Sequence, residues 1–256
     1  MGGVTAPFAP DELARYARHI VLPEIGGVGQ ARLRRATVAL VGAGGIGAPA
    51  IQYLAAAGVG RLVLIDDDRV DASNLHRQTI FRTADIGARK VAAAAAAVAA
   101  INPHVAVVAH CERLDPANAA MLLRGADVVV DGSDSFATRL TVADAAYAAR
   151  TPLVSAAVGR FHAQLAVYRG WEPGQPCYRC LVGDSPGNDG MTCADDGVLG
   201  PMVGMIGSMA ALETVRAITP FGIDPVGRLF IADLLSFGFR TVRLRKETTC
   251  RTCSGI

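Results

Sequence analysis

The sequence predicts an α/β protein: a mainly parallel sheet with helices on both faces, extended by C-terminal antiparallel strands and carrying a four-cysteine metal site. Three observations carry that prediction. Short β-rich runs alternate with helix-length segments as far as Ala149, the pattern of a parallel sheet with crossover helices. After Pro152 strand-like runs follow one another without regular helices between most of them. Two CxxC pairs, Cys177/Cys180 and Cys250/Cys253, lie in that second part.

The elements are expected in this order. A helix from about Asp11 to Ile20 precedes the apolar strand "TVALVG", which runs into glycines, and a helix covers Ile46 to Ala57. The strand "RLVLID" follows, then an Ala-rich helix from Ala88 to Ile101 stopped by Asn102-Pro103. The strand "VAVVAH", a helix near Ala117 to Leu123, the strand "DVVVDGSD" and a helix from Phe136 to Ala149 complete the alternation. Beyond it, "PLVSAAV", "AQLAVYRG", "RLFIADLL" and "FRTVRLRK" read as strands that extend the sheet antiparallel, and Pro201 to Ile218 reads as a buried helix. The 256 residues, 51% of them hydrophobic, suffice for one large unit. It divides into an N-terminal helical arm (1–36), a nucleotide-binding half (37–150) and a second half (151–256).

A net charge of +2 with scattered Lys and Arg gives no electrostatic footprint for nucleic acid. The N-terminus lacks a charged segment followed by an apolar one, and no apolar run reaches membrane-spanning length. The chain is therefore expected in the cytoplasm, without a membrane or nucleic-acid partner.

The first chemical signal is "VGAGGIGAPA". Gly42, Gly44 and Gly47 fit G-x-G-x-x-G directly after a strand and at a helix start, where backbone amides and the helix dipole hold phosphate oxygens. This makes the predicted sheet Rossmann-like. Asp66 in "LIDDDRV", nineteen positions beyond Gly47, suits a ribose. Gly45 and Asp68 of the same two motifs join the candidate nucleotide-binding set. In "DASNLHRQTIF", Asn74, Arg77 and Gln78 follow closely, and Arg77 brings a fixed cation toward the phosphates. A nicotinamide enzyme needs a flat apolar slot there instead. Lys90 opens the next helix and offers a second cation, and Asp134, just past the C-terminal end of the fourth strand, suits Mg²⁺. Each alone also reads blandly, as a surface Arg, a snorkelling Lys or a helix-capping Asp.

The four paired cysteines have the pattern of a tetrahedral structural zinc site, which would tie the C-terminal tail to the loop before Cys177. Cys111 reads as a passive thiol, His76 as a bystander. Cys193 lies in the Gly- and Asp-rich "NDGMTCADDGVLGP".

At this point the sequence resembles the ubiquitin-activating-enzyme-like adenylyltransferases of the MoeB/ThiF/HesA group, nearest their molybdopterin-synthase adenylyltransferases. The resemblance runs from "RYARHIVLPEIGGVGQARL" through "GAGGIG", "LIDDDRVDASNLHRQTIF", "INPHV", "DGSDS" and "PCYRC" to "CRTC". It implies adenylation by ATP of the C-terminal glycine carboxylate of a small ubiquitin-like sulfur-carrier protein ending in Gly-Gly, with pyrophosphate release. The pathways it implies are molybdenum-cofactor or thiamine biosynthesis. It also implies a ribose contact for Asp66, phosphate contacts for Arg77 and Lys90, Mg²⁺ at Asp134, the same zinc site, and a homodimer in which Arg18 reaches the partner's ATP. Cys193 matches the candidate for a covalent bond to the carrier. The second half becomes the carrier-binding half, with sulfur supplied by a separate donor. Ser135 departs from the group's usual Asn. The alternatives are a nicotinamide-dependent oxidoreductase, a silent scaffold docking a ubiquitin-like partner, and adenylation of a peptide or tRNA carboxylate.

Overall fold

In the computed structural model, which describes residues 8–184 and 197–254, eight strands form one sheet. They are β1 (Thr37–Val41), β2 (Arg61–Ile65), β3 (Ala106–His110), β4 (Val128–Asp131), β5 (Leu153–Gly159), β6 (His162–Tyr168), β7 (Arg228–Asp233) and β8 (Gly238–Arg243), in the order β3-β2-β1-β4-β5-β6-β7-β8. The first five strands pair in parallel and the last three join antiparallel. β5 differs from expectation: it lies parallel to β4, because a helix carries the chain back between them. The antiparallel extension therefore begins one strand later, at β6.

The helices are α1 (Pro10–Ile20), α2 (Gly26–Arg35), α3 (Gly47–Ala57), α4 (Lys90–Ile101), α5 (Ala119–Leu122), α6 (Phe136–Ala148), α7 (Tyr178–Val182) and α8 (Gly200–Ile218). Successive strand residues point to opposite faces, and both faces of the sheet are apolar. Val38, Leu40, Leu62, Leu64, Val128 and Val130 pack with α3, α4 and α8 on one side. Ala39, Val41, Ile65 and Val129 pack with α5 and α6 on the other. Such double cover explains the near-continuous hydrophobic runs of β1 and β4. Among the described residues, no helix is long and apolar enough to cross a membrane.

The sequence reading misses α2. Its first turn carries Gly26, Gly27 and Gly29, which oppose helix formation by about 1 kcal/mol each relative to Ala, so tertiary contacts must hold it. Gln30 is fully buried; its Nε2 donates to Ala57 O at 2.8 Å and its Oε1 lies 3.0 Å from His19 Nδ1. A Cβ on Gly29 would meet Thr219 Oγ1 at 2.8 Å, so the small residue lets α2 seat beside the end of α8. Asn102 completes this corner, donating to Ala55 O and to the Tyr16 hydroxyl, both at 2.8 Å.

Candidate functional site

Where β1 and β4 end side by side, their connections leave in opposite directions, and a cleft of about 480 Å³ opens, the usual ligand position in such sheets. The glycine loop forms one wall. Gly42 adopts φ +89°, and a Cβ there would come within 3.1 Å of Gly132 backbone. Gly47 lets α3 pack on the turn, since a Cβ would stand 1.9 Å from Gly42 O. Gly45 faces Val203 of α8 at 2.6 Å in the same construction, whereas Gly44 meets nothing nearer than Gln78 Nε2 at 3.9 Å. Gly42 and Gly47 are thus required by the fold, and Gly44 is open to a ligand. At the start of α3, Ala48 N donates to Gly44 O at 2.8 Å and Ala50 N to Ile46 O at 3.3 Å, so what this helix end offers the cleft is the positive end of its dipole.

Asp66, at the end of β2, binds this loop: its Oδ2 accepts from Ala43 N at 2.7 Å and its Oδ1 from Asp68 N at 2.9 Å. Burial raises its pKa above the ordinary carboxylate value, opposed by Lys90 and by those two amides. Each oxygen keeps acceptor capacity for a hydroxyl.

The 72–74 turn delivers Asn74, Arg77 and Gln78 to the same cleft. Arg77 Nη1 donates to Ser73 O at 2.8 Å and lies 2.9 Å from His76 Nε2. Gln78 is buried, and among the described residues its Oε1 has no hydrogen-bond partner, an orphan acceptor of the kind that a ligand satisfies. Lys90, at the start of α4, is buried with its Nζ 2.8 Å from Asp68 Oδ2. Asp134 is exposed at the mouth. Ser135, not Asp134, caps α6, its Oγ accepting from Thr138 N at 3.5 Å, so the capping reading of Asp134 has no support in the geometry.

Gly42, Gly44, Gly45, Asp66, Asp68, Asn74, Arg77, Gln78, Lys90 and Asp134 all line the cleft; Gly47 lies behind it and Arg18 is exposed on α1, outside it. Cys193 falls outside the described residues. Sequence reasoning missed Asp131, Ser133 and Arg139. Asp131 is buried and accepts from Ser133 N at 3.1 Å, from Ser133 Oγ at 2.7 Å and from Ser155 Oγ at 3.3 Å. Arg139 Nη2 donates to Ser133 O at 2.5 Å. The missed signal was an aspartate two residues before a serine at a strand end, an arrangement that folds back on its own backbone.

Away from the cleft, the Sγ atoms of Cys177, Cys180, Cys250 and Cys253 lie within 4.8 Å of one another. Cys177 and Cys180 are 3.9 Å apart, Cys177 and Cys250 3.5 Å, and Cys180 and Cys253 3.4 Å. A tetrahedral zinc with Zn–S near 2.3 Å requires sulfurs about 3.8 Å apart, so the cluster fits a metal and holds no disulfide. Burial pushes the Cys177 thiol up, and the Cys253 thiol to about 11; a cation is what stabilises four thiolates this close.

Comparison with known proteins agrees with this arrangement. Residues 16–252 match the model of the ThiF family. The chain is 46% identical over 250 residues to the bovine (Bos taurus) "Adenylyltransferase and sulfurtransferase MOCS3", covering 97% of this chain but only 54% of that protein. It is 43% identical over 248 residues to the "Sulfur carrier protein adenylyltransferase" of Thermus thermophilus, covering 95% of this chain and 91% of that one. Among solved structures, E. coli MccB superposes with a TM-score of 0.82 at 21% identity, over 93% of this chain and 74% of MccB, a likeness of fold. With a family match over nearly its whole length, the chain belongs to the ThiF family, within the ubiquitin-activating-enzyme-like adenylyltransferases.

Proposed function

We propose that this chain is an ATP-dependent adenylyltransferase that activates the C-terminal glycine carboxylate of a small ubiquitin-like sulfur-carrier protein as an acyl-adenylate, releasing pyrophosphate. The observation that carries the reading is the convergence, in one cleft, of an open glycine loop, a ribose-ready carboxylate, two cations and an exposed acid. The names of both the bovine and Thermus relatives supply the reaction, and that of the Thermus relative the substrate class.

A carboxylate is already an anion at neutral pH, so the reaction needs alignment and charge neutralisation rather than a general base. The Gly44 and Gly45 amides receive phosphate oxygens, with the positive end of the α3 dipole behind them. Asp66 accepts from the ribose hydroxyls, and Asn74 and Gln78 fix the nucleotide's register. Arg77 and Lys90 neutralise charge on the α-phosphate and the leaving pyrophosphate. Asp134 would hold Mg²⁺, which supplies further neutralisation of the phosphates. The four cysteines would hold structural Zn²⁺. Residues 1–36 form the arm, 37–150 the nucleotide-binding half and 151–256 the carrier-binding and zinc half. A homodimer suits the exposed apolar residues Val21, Leu22, Val28, Tyr53 and Leu212, which sit on or beside helices that pack together. Arg18 would act across that interface. Cys193 is the proposed site of any covalent bond to the carrier.

The test is ATP–pyrophosphate exchange with a carrier ending in Gly-Gly, together with the carrier's mass increase on AMP addition. Asp134→Ala and Arg77→Ala should each lower exchange about a hundredfold or more with folding intact. Near-normal exchange in both variants would overturn the reading.

A further inference from the structure

Two carboxylates stand at equivalent places in the sheet, at the ends of the two strands that flank β1. Asp66, just past β2, turns onto the glycine loop and accepts from Ala43 N at 2.7 Å. Asp131, the last residue of β4, turns onto the loop of Asp134. It is 1% exposed and does not itself line the cleft. Its Oδ1 accepts from Ser133 N at 3.1 Å and from Ser133 Oγ at 2.7 Å, and its Oδ2 accepts from Ser155 Oγ of β5 at 3.3 Å. The β1–β4 ladder runs one residue past β4, with Gly132 N donating to Val41 O at 3.0 Å, so the chain leaves the sheet at Ser133. There each polar group of the serine is engaged, the amide and hydroxyl by Asp131 and the carbonyl by Arg139 Nη2 of α6. The next residue is Asp134.

Ser133 is also where the two loops meet, since a Cβ on Gly42 would stand 3.2 Å from Ser133 N. A shift of Ser133 therefore alters the spacing between the glycine loop, which receives phosphate, and the carboxylate of Asp134. We propose that Asp131 is a positioning residue for the cation site: by holding Ser133 it fixes Asp134 relative to the glycine loop, and so sets divalent-cation affinity without touching a ligand. The proposal rests on the reading of Asp134 as the cation ligand. Buried as it is, the Asp131 carboxylate is shut off from water that would compete for its donors, so Ser133 keeps one place. Partners that orient a metal ligand from behind typically change metal affinity by about 10- to 100-fold when removed.

Asp131→Ala removes both acceptor oxygens, whereas Asp131→Asn keeps one for Ser133 at nearly the same volume. Binding of Mn²⁺ beside a non-hydrolysable ATP analogue, followed by electron paramagnetic resonance, should weaken about tenfold in Asp131→Ala. In Asp131→Asn it should stay within about threefold of wild type. The thermal shift given by the analogue without divalent cation should match wild type in both, because Asp66 holds the glycine loop independently. The Mg²⁺ concentration for half-maximal exchange should rise about tenfold in Asp131→Ala, with the rate restored at excess Mg²⁺. If Asp131→Ala does not fold, Ser133→Ala, which deletes one of the two bonds to Asp131, should weaken Mn²⁺ binding about threefold. Wild-type cation affinity in the alanine variant that folds overturns the proposal alone. So does an equal loss in Asp131→Asn and Asp131→Ala, or an equal loss of cation and cation-free analogue binding. Wild-type protein that holds no Mn²⁺ beside the nucleotide overturns the assignment of Asp134 and this inference with it.

Discussion

Lys90 and Asp68 form an ion pair of opposite exposure: the lysine side chain is 7% exposed and the aspartate 66%, with Nζ 2.8 Å from Oδ2. Removing one partner is therefore not equivalent to removing the other. Asp68→Ala leaves a buried ammonium short of a partner and should destabilise the nucleotide-free protein by about 1–3 kcal/mol in urea unfolding. Lys90→Met leaves a hydrated carboxylate, should cost less stability, and should lower exchange about a hundredfold. The opposite ranking in either assay would show that Lys90 is a structural residue.

The glycines of the first loop divide in the same manner. Gly47→Ala places a methyl against Gly42 O and should destabilise by about 1–3 kcal/mol, read as a lower melting temperature. Gly44→Ala meets open space in the cleft, so it should keep the wild-type melting temperature and lose the thermal shift that ATP produces. A normal ATP shift in Gly44→Ala would place the phosphates elsewhere.

Asp66 makes the nucleotide-free protein pH-sensitive. Burial raises its pKa on folding, against the pull of Lys90 and two amides. A carboxyl raised in the folded state holds its proton more tightly there than in the unfolded chain. Its contribution is fully present below the unfolded value and is lost as pH rises through the folded one. The stability of wild type relative to Asp66→Asn should therefore fall between about pH 3 and 6. A gap that widens in favour of wild type over that range would mean that Lys90 and the amides outweigh burial.

For the cysteine cluster, elemental analysis should find one zinc per chain, and Cys250→Ser should lower the melting temperature by about 2–4 °C for each kcal/mol lost. ATP affinity should remain near wild type, because that substitution leaves the residues lining the cleft intact. A metal-free protein of unchanged stability would remove zinc from the account.

Arg18 is tested by mixing. Arg18→Ala and Asp134→Ala homodimers should each be inactive; after subunit exchange about half of all dimers are mixed, and each mixed dimer carries one intact site if Arg18 acts across a two-fold axis. No recovery, with exchange verified by mass spectrometry, places Arg18 in its own site or outside the mechanism.

The first half of the sheet and its glycine loop were legible because their signals are local. The Gly42–Gly47 spacing, the apolar runs of β1 and β2 and the carboxylate of Asp66 follow one another in sequence, and each obeys a short-range rule. What escaped depends on distant contacts. The glycine-rich start of α2 is helical because Gln30 and Gly29 find partners on α3 and near the end of α8. Arg139 is invisible as a cleft residue until α6 turns it back toward Ser133. Tyr178 and Arg179 read as spacers between cysteines until the sheet brings α6 beside them. Lys90 was placed in the cleft, but its pairing with Asp68, twenty-two residues away, belongs to the fold.

The sheet's order has a last consequence, for association rather than catalysis. Among the described residues, the eight-stranded sheet ends at β8 with no strand beyond it, and an open strand edge is the feature through which copies of a protein add strand to strand without limit. Here the edge carries Arg240 and Arg243, both exposed, with Arg245 following. A second β8 laid alongside would bring like charges together, and the side chains' hydration would have to be given up to seat it. Growth of the sheet through this edge is thereby disfavoured.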